Sequence, residues 1–449
     1  MSLADGSTAY LKAMGRSAVP LRGRIGAKDW VLSAAPILMV FVELTLLGAN
    51  SGVLAAGAAF FNELALAVLL GLTFRTNAAF GALAPVLILV LAAAAWGLAI
   101  QRFSITPSQT PLELTKLLGV LSLLILGVAA GARRARSRLF CGVVATAGGV
   151  YAIGAFWLYQ ADPFRVIGVV KVTHAWRFTG TLLNANVAGV VFGMICLTAL
   201  GWVQTLLRRT LASKAGPILL AVGVGATLIS LVACGYTGSR MAFASTLILG
   251  AVLWFSDMLR PKSSGPRKDS SRRRANLAVA ALIVLAAVLG VGRILIRQDS
   301  AADTFTGRLD ALRRFIALAQ QRPITGWGLG AFNQVNQSTL SPATASGMYD
   351  FGAAHSSLVQ TFLEGGAPYL LLLSAAGLMI IYQIVAKWRG LADGWSRGLA
   401  GAVTLAALCS MDDIDLNVPA VAGFAALLLG VLWGRAIVVQ DAVSPGSVP

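Results

Sequence analysis

The chain alternates long apolar runs with short polar connectors. Because about 20 apolar residues cross a bilayer as one helix, the runs at 30–47, 54–73, 79–100, 112–131, 139–158, 187–204, 217–235, 241–258, 277–295, 367–386, 398–411 and 418–437 predict about twelve transmembrane helices. An even number places both termini on one side. One long break interrupts the series, at 298–366. Within it, Leu309, Leu312, Ile316 and Ala319 recur at helical spacing beside Arg308, Arg313 and Arg314, which predicts an amphipathic helix lying on a membrane surface. Arg322-Pro323 ends that helix, and Gly326, Gly328 and Gly330 around Trp327 make a turn-rich connector. The chain then re-enters the membrane by way of His355-Ser356-Ser357-Leu358 and Glu364-Gly365-Gly366.

The expected organisation is an N-terminal tail (1–29), a multi-pass domain (30–437) with a basic loop at 260–276 and a long segment at 296–356, and a C-terminal tail (438–449). No fixed-period repeat and no duplication of halves is visible. The first 29 residues are polar and basic without an apolar core, so no cleavable signal peptide is expected.

Composition agrees with the pattern. A chain of 449 residues, 57% hydrophobic and 12% charged, with mean hydropathy +0.77, is not a soluble globular protein. The net charge of +18 does not argue for nucleic acid, because the basic residues cluster between apolar runs, where topology and anionic membrane lipids account for them. With the N-terminus inside, most of the 36 lysines and arginines fall on inner connectors. The rule for positive charge therefore predicts cytoplasmic termini. The loop at 260–276, with Ser, Gly and Pro among its basic residues, reads as flexible. Cys141, Cys196, Cys234 and Cys409 lie in or beside apolar runs without metal-ligand spacing, as buried free thiols do.

Function is best sought in the charges that work against the topology rule, since an outward arginine near the membrane needs an anionic partner. These are Arg102, Arg165, Lys171, Arg177, Arg240, Arg293, Arg297, Arg308, Arg313, Arg314 and Arg322. Three contexts stand out. Arg177 opens a stretch, 177–186, in which hydroxyls, Asn184 and Asn186 precede a helix N-terminus, a combination suited to anions; plain helix capping by an asparagine is the alternative. Ser239 and Arg240 lie in a tight turn at the same face. Arg308, Arg313 and Arg314 precede His355, one of only two histidines.

Other candidates carry less. Asp412-Asp413-Ile414-Asp415 contains a literal Asp-x-Asp, but a polar loop is the better reading. Glu113 and Lys116 are spaced to pair on one helix face. Glu43 and Glu63, in or beside the first two spans, keep a transporter in view as a different class of function. A membrane scaffold without chemistry is a third reading, on which His355 is dispensable.

Four pieces resemble the O-antigen ligase family: Arg177-Phe178-Thr179-Gly180-Thr181-Leu182-Leu183-Asn184-Ala185-Asn186; Gly238-Ser239-Arg240; Arg322-Pro323-Ile324-Thr325-Gly326-Trp327-Gly328; and His355-Ser356-Ser357-Leu358 with Glu364-Gly365-Gly366. Ala185 stands where that family commonly has proline, and Ser356 where asparagine often follows the histidine. The resemblance implies an all-α, GT-C-like, cofactor-free and metal-independent inverting glycosyltransferase of the bacterial inner membrane, with its site facing the periplasm. It implies a glycan donor on undecaprenyl pyrophosphate and a lipid A–core hydroxyl as acceptor, or another lipid-linked glycan in the polymerase members; a flippase for lipid-linked glycans is the alternative from another class. Arginines matching Arg177 and Arg240 would hold the pyrophosphate and a histidine matching His355 would activate the acceptor. Asn184, Asn186, Ser239, Arg308, Arg313 and Arg314 are further candidates for donor binding.

Overall fold

Each of the twelve apolar segments forms a helix in the structure, a computed structural model that describes residues 25–73, 77–172, 174–209, 215–258, 269–296, 301–342, 345, 348–349 and 351–441. They are α1 (Ala27–Thr45), α2 (Gly52–Thr73), α3 (Asn77–Ile100), α4 (Thr110–Gly131), α5 (Arg134–Ala161), α6 (Ala185–Arg209), α7 (Gly216–Tyr236), α8 (Arg240–Met258), α9 (Asp269–Ile296), α12 (Ser357–Ala386), α13 (Gly394–Cys409) and α14 (Pro419–Asp441). The long break adds α10 (Ala301–Gln321) and α11 (Phe332–Ser338). A two-residue hairpin, Arg165–Val166 against Val169–Val170, lies between α5 and α6. Among the described residues, eight helices are long and apolar enough to cross a membrane. Among the rest, α1 carries Lys28, Asp29 and Glu43, while α8 and α9 hold shorter apolar stretches. This is an all-α polytopic membrane protein.

The core is built on close backbone approach, as expected where lipid removes the hydrophobic contrast between helix and surroundings. In α4, Gly127 and Gly131 meet Gly430 and Gly434 of α14, each four residues apart, and a Cβ on any of them would collide with the facing backbone. Gly201 of α6 meets Gly394 and Gly398 of α13 in the same way. The span in α6 is buried along its whole length, packed by α5, α7, α8 and α13.

One end of the bundle is basic. There Asp29, at 3% exposure, accepts from Arg133 (2.7 Å) and Arg136 (2.9 Å), and Asp393 pairs with Arg134. The N-terminal tail up to residue 24, residues 260–268 of the basic loop and the C-terminal tail beyond 441 lie outside the described residues. The rest of that loop is not as predicted, because α9 already begins at Asp269, where Asp-Ser-Ser supplies a helix start and three arginines favour its continuation.

The opposite end carries the long segment, and two of its glycine motifs turn out to be one joint. Trp327 and Gly328 donate their N–H groups to the carbonyls of Leu363 and Glu364 (both 2.9 Å), and Ala367 donates to Pro323 (2.8 Å). Gly366 is left-handed, φ 72°, and breaks α12 there; a Cβ on Gly326 or Gly366 would enter the other strand's backbone. Against this joint, α10 turns Ala311, Phe315, Leu318 and Ala319 into a local core with Phe332, Val335, Ala354 and Leu363. The helix is amphipathic as predicted, but its most buried face packs on protein, leaving Leu309, Leu312 and Ile316 half-buried. The predicted stripe missed this because an apolar face reads alike whether lipid or protein covers it.

The α4–α14 seam gives a direct test. Gly127→Val should lower thermal stability in detergent by about 1–3 kcal/mol through overpacking, whereas Gly154→Ala, where a Cβ meets nothing within 4 Å, should leave the unfolding midpoint close to wild type.

Candidate active site

Between α5 and α6 the chain folds over the helix ends and is held by aromatic stacking. Phe178 lies between Phe156 and Phe192, with ring centroids 4.6 and 5.5 Å away. This anchor places Arg177, only 7% exposed, against the end of α7. Its Nε and Nη2 both donate to the Thr237 carbonyl (3.0 and 2.8 Å), at the negative end of the helix dipole. Nη2 also donates to Asn186 Oδ1 (3.0 Å), and Nη1 meets His174 Nδ1 at 2.6 Å. Buried Lys171 donates to the Arg177 carbonyl (2.7 Å). Burial holds that lysine below its ordinary pKa, with Asp162 opposing the shift.

His355 is positioned from the other side. The Ser357 N–H donates to the Ser410 carbonyl (2.9 Å), which fixes the start of α12 beside the end of α13. The His355 ring stands edge-on to Phe351, centroids 5.0 Å apart, and Phe351 packs on Phe315 of α10. Its Nδ1 lies 3.1 Å from Asp413 Oδ1. Asp413 also accepts from the Ile414 N–H (2.8 Å) and from Asn186 Nδ2 (2.6 Å), with Arg308 Nη2 at 3.6 Å. Burial alone would raise this carboxyl; the His355 hydrogen bond and charge, then Arg308 and the Ile414 N–H, hold it below the usual carboxylate range. One continuous set of contacts therefore runs from His174 through Arg177, Asn186 and Asp413 to His355.

Both histidines line one cavity of about 880 Å³, with Asn184, Asn333, Gln360, Asn417, Glu364, Glu113 and Lys116 among its walls. Glu113 and Lys116 pair at 2.6 Å, as their spacing predicts. Gln360 Oε1 accepts from Asn417 (2.6 Å) and from the Ala354 N–H (3.2 Å), while its amide donates to Glu364 (3.1 Å). A larger lateral groove of about 1200 Å³, bounded by residues such as Trp30, Phe41, Val150 and Trp202 with Arg138 at its margin, is mostly apolar. It lacks a histidine or carboxylate lining, so the polar cavity is the better candidate for chemistry.

The predicted residues separate in this frame. Asn186 bridges Arg177 and Asp413, and Asn184 caps α6 through the N–H groups of Asn186 (2.8 Å) and Val187 (3.4 Å). Arg308 reaches the cluster, pairing with Asp412 at 3.0 Å. Arg313 pairs with Asp310 on the surface. Arg314 instead ties α10 to Asn336 (2.6 Å) and Thr339 (2.7 Å), inside the long segment. Arg240, exposed as the first residue of α8, follows the turn that receives Arg177. Ser239 is buried in that turn, its N–H on Thr237 Oγ1 (3.2 Å). Sequence reasoning read Asp413 as part of a polar loop and passed over His174. For Asp413 a signal existed: 412–415 is an anionic cluster on the face where arginines need partners.

Residues 225–374 match the O-antigen ligase (Wzy_C) family. The matched region contains Arg240, Arg308, His355 and the 326–366 joint; Arg177 and Asp413 fall outside it. No curated protein matches the chain.

Asp415 supplies a contrast with Asp413. It is wholly buried, both carboxyl oxygens lack a hydrogen-bond partner, and burial followed by repulsion from Asp413 and Asp412 pushes its pKa well above the ordinary value. Below the ordinary carboxylate range both folded and unfolded chains hold this proton, so there is no penalty. Above it only the unfolded chain ionises freely, so Asp415 lowers stability as pH rises toward its folded pKa. Asp415→Asn should therefore raise the unfolding midpoint, by more at about pH 8 than at about pH 5.

Proposed function

We propose that this chain, with its O-antigen ligase domain at residues 225–374, is an inverting glycosyltransferase. It moves a polysaccharide from undecaprenyl pyrophosphate to a hydroxyl of the lipid A–core acceptor at the periplasmic face of the bacterial inner membrane. The observation that carries the reading is His355 at 3.1 Å from Asp413 on the wall of a polar cavity. A carboxylate only accepts, so His355 Nδ1 carries a ring proton, and in the neutral ring Nε2 keeps its lone pair. That is the state a general base needs to take a proton from a sugar hydroxyl.

In this mechanism the acceptor oxygen attacks the anomeric carbon from the side opposite the pyrophosphate. The acceptor proton passes to His355 Nε2, the bond from carbon to pyrophosphate oxygen breaks, and its electron pair leaves with the pyrophosphate. Asp413 holds the imidazole in register and stabilises the imidazolium that forms. Arg177, Arg240 and Arg308 supply the positive field in which the leaving charge develops. Metal independence is supported by the state of the acidic residue nearest the base, because both Asp413 oxygens are already taken by N–H donors.

With purified protein and a lipid-linked glycan donor, His355→Ala should reduce transfer by about 10²–10⁴-fold while the protein stays folded. Asp413→Asn should cause a loss of at least about 10²-fold, since an amide no longer selects the required tautomer. Transfer should be unchanged by a divalent-ion chelator; loss of activity restored by magnesium or manganese would refute the metal-free mechanism. A deletion strain should accumulate long glycans stranded on the carrier lipid, whereas single repeats on the core would identify a polymerase instead.

A further inference from the structure

The hairpin between α5 and α6 has one face that the fold accounts for and one that it does not. Its register pairs Val166 with Val169 and Arg165 with Val170, and side chains alternate across a strand. On the Val166 side the hairpin is fastened to the protein. Val166 and Lys171 are buried there, the Lys171 N–H donates to the Phe164 carbonyl (2.9 Å), and Lys171 Nζ donates to the Arg177 carbonyl (2.7 Å). The other side carries Arg165, Val170 and Val172, all exposed, Val172 to 93%. Phe164 at the start of the hairpin and Ile167 at its turn are exposed as well. A hairpin face open to water is ordinarily polar, and two strands alone are marginally stable there. Apart from Arg165, this face is apolar.

What lies next to the hairpin indicates what covers it. The apolar span of α5 runs over Arg134–Ala161, and Val150, Ile153 and Trp157 make an exposed apolar stripe along it at helical spacing, a face suited to lipid. Phe164 follows the end of that span by three residues. Trp157 and Tyr159 before the hairpin, Phe164 within it and Trp176 after it supply the aromatic rings typical of a membrane boundary. The Tyr159 hydroxyl donates to the Trp176 carbonyl (3.0 Å), so the connector returns at the height where the span ends. With Lys171 buried, Arg165 is the hairpin's exposed charge, and a guanidinium at that level fits a lipid phosphate. We propose that the 164–172 hairpin is a membrane-docking element: Ile167, Val170 and Val172 enter the lipid chains just below the headgroups, and Arg165 meets a headgroup phosphate. Through Lys171 the docked hairpin holds the Arg177 connector at the lipid surface. This inference does not depend on the reaction proposed above.

The test uses the full-length protein in phospholipid nanodiscs. Cys141, Cys196, Cys234 and Cys409 are buried, so a fluorescent thiol label goes to a cysteine introduced by Val170→Cys or Val172→Cys, with Gln337→Cys on exposed α11 as the reference open to water. The quenchers are phospholipids with a nitroxide near the headgroup, phospholipids with a nitroxide at the chain end, and iodide in the buffer. Both hairpin labels should lose more emission to the shallow nitroxide than to the deep one, and less to iodide than the label at Gln337 does. Labels that iodide reaches as readily as Gln337 and that neither nitroxide quenches would show a hairpin projecting into water. Labels shielded from all three quenchers, or cysteines that cross-link between copies, would show protein on that face. Either result would overturn the proposal. Val170 and Val172 are exposed in the fold, and if one labelled variant fails to fold, the other decides.

Discussion

The Asp413 carboxylate is the interaction on which the candidate site depends. It is almost fully buried, and an ionised carboxylate in such a place is tolerated only when donors surround it. Here the donors come from distant parts of the chain: His355 before α12, Asn186 at the start of α6, Arg308 on α10 and the adjacent Ile414 N–H. Satisfying one charge therefore closes four pieces of structure on a single point. The same need explains why His355 is oriented at all, since its ring would otherwise turn freely at a helix start.

Backbone strain collects where those pieces meet. Among the described residues, left-handed non-glycine positions include Leu47 and Ala49 at the end of α1, His174 and Leu183 around Arg177, and His355 itself. Each costs free energy and persists only because its surroundings leave no alternative. Phe178 within its aromatic stack holds one side and Phe351 on Phe315 holds the other. The amphipathic helix α10 thus supports the imidazole through two rings, which a helix simply floating on lipid would not do.

Much of this was legible in the chain. All twelve apolar runs became helices because a long apolar stretch between polar connectors can satisfy its backbone in a membrane only by hydrogen-bonding within itself. Arg177 and Arg308 drew notice as arginines that the topology reading expected to need anionic partners, Asn186 as an amide at a helix start beside Arg177, and His355 as one of two histidines. Other features depended on packing that periodicity does not encode. Which face of α10 meets protein is a tertiary fact, as is the retreat of Arg314 to Asn336. Asp413 was visible as an acid but not as a hub, since its side-chain partners lie from 58 to 227 residues away. His174 was overlooked because it stands in a connector whose fold is set by aromatic rings on neighbouring helices.

The glycine seam between α4 and α14 reaches further than the stability of the bundle. Glu113 and Lys116 stand on α4 beneath one wall of the polar cavity, and Asn417 lies just ahead of α14 in another. From Lys116 to the glycines at 127 and 131 is about 17–22 Å along the helix. With the two backbones touching at that depth, the helices cannot change separation there, so the gap between those walls is gauged from well below it. Residues remote from the cavity thereby set the width of its mouth.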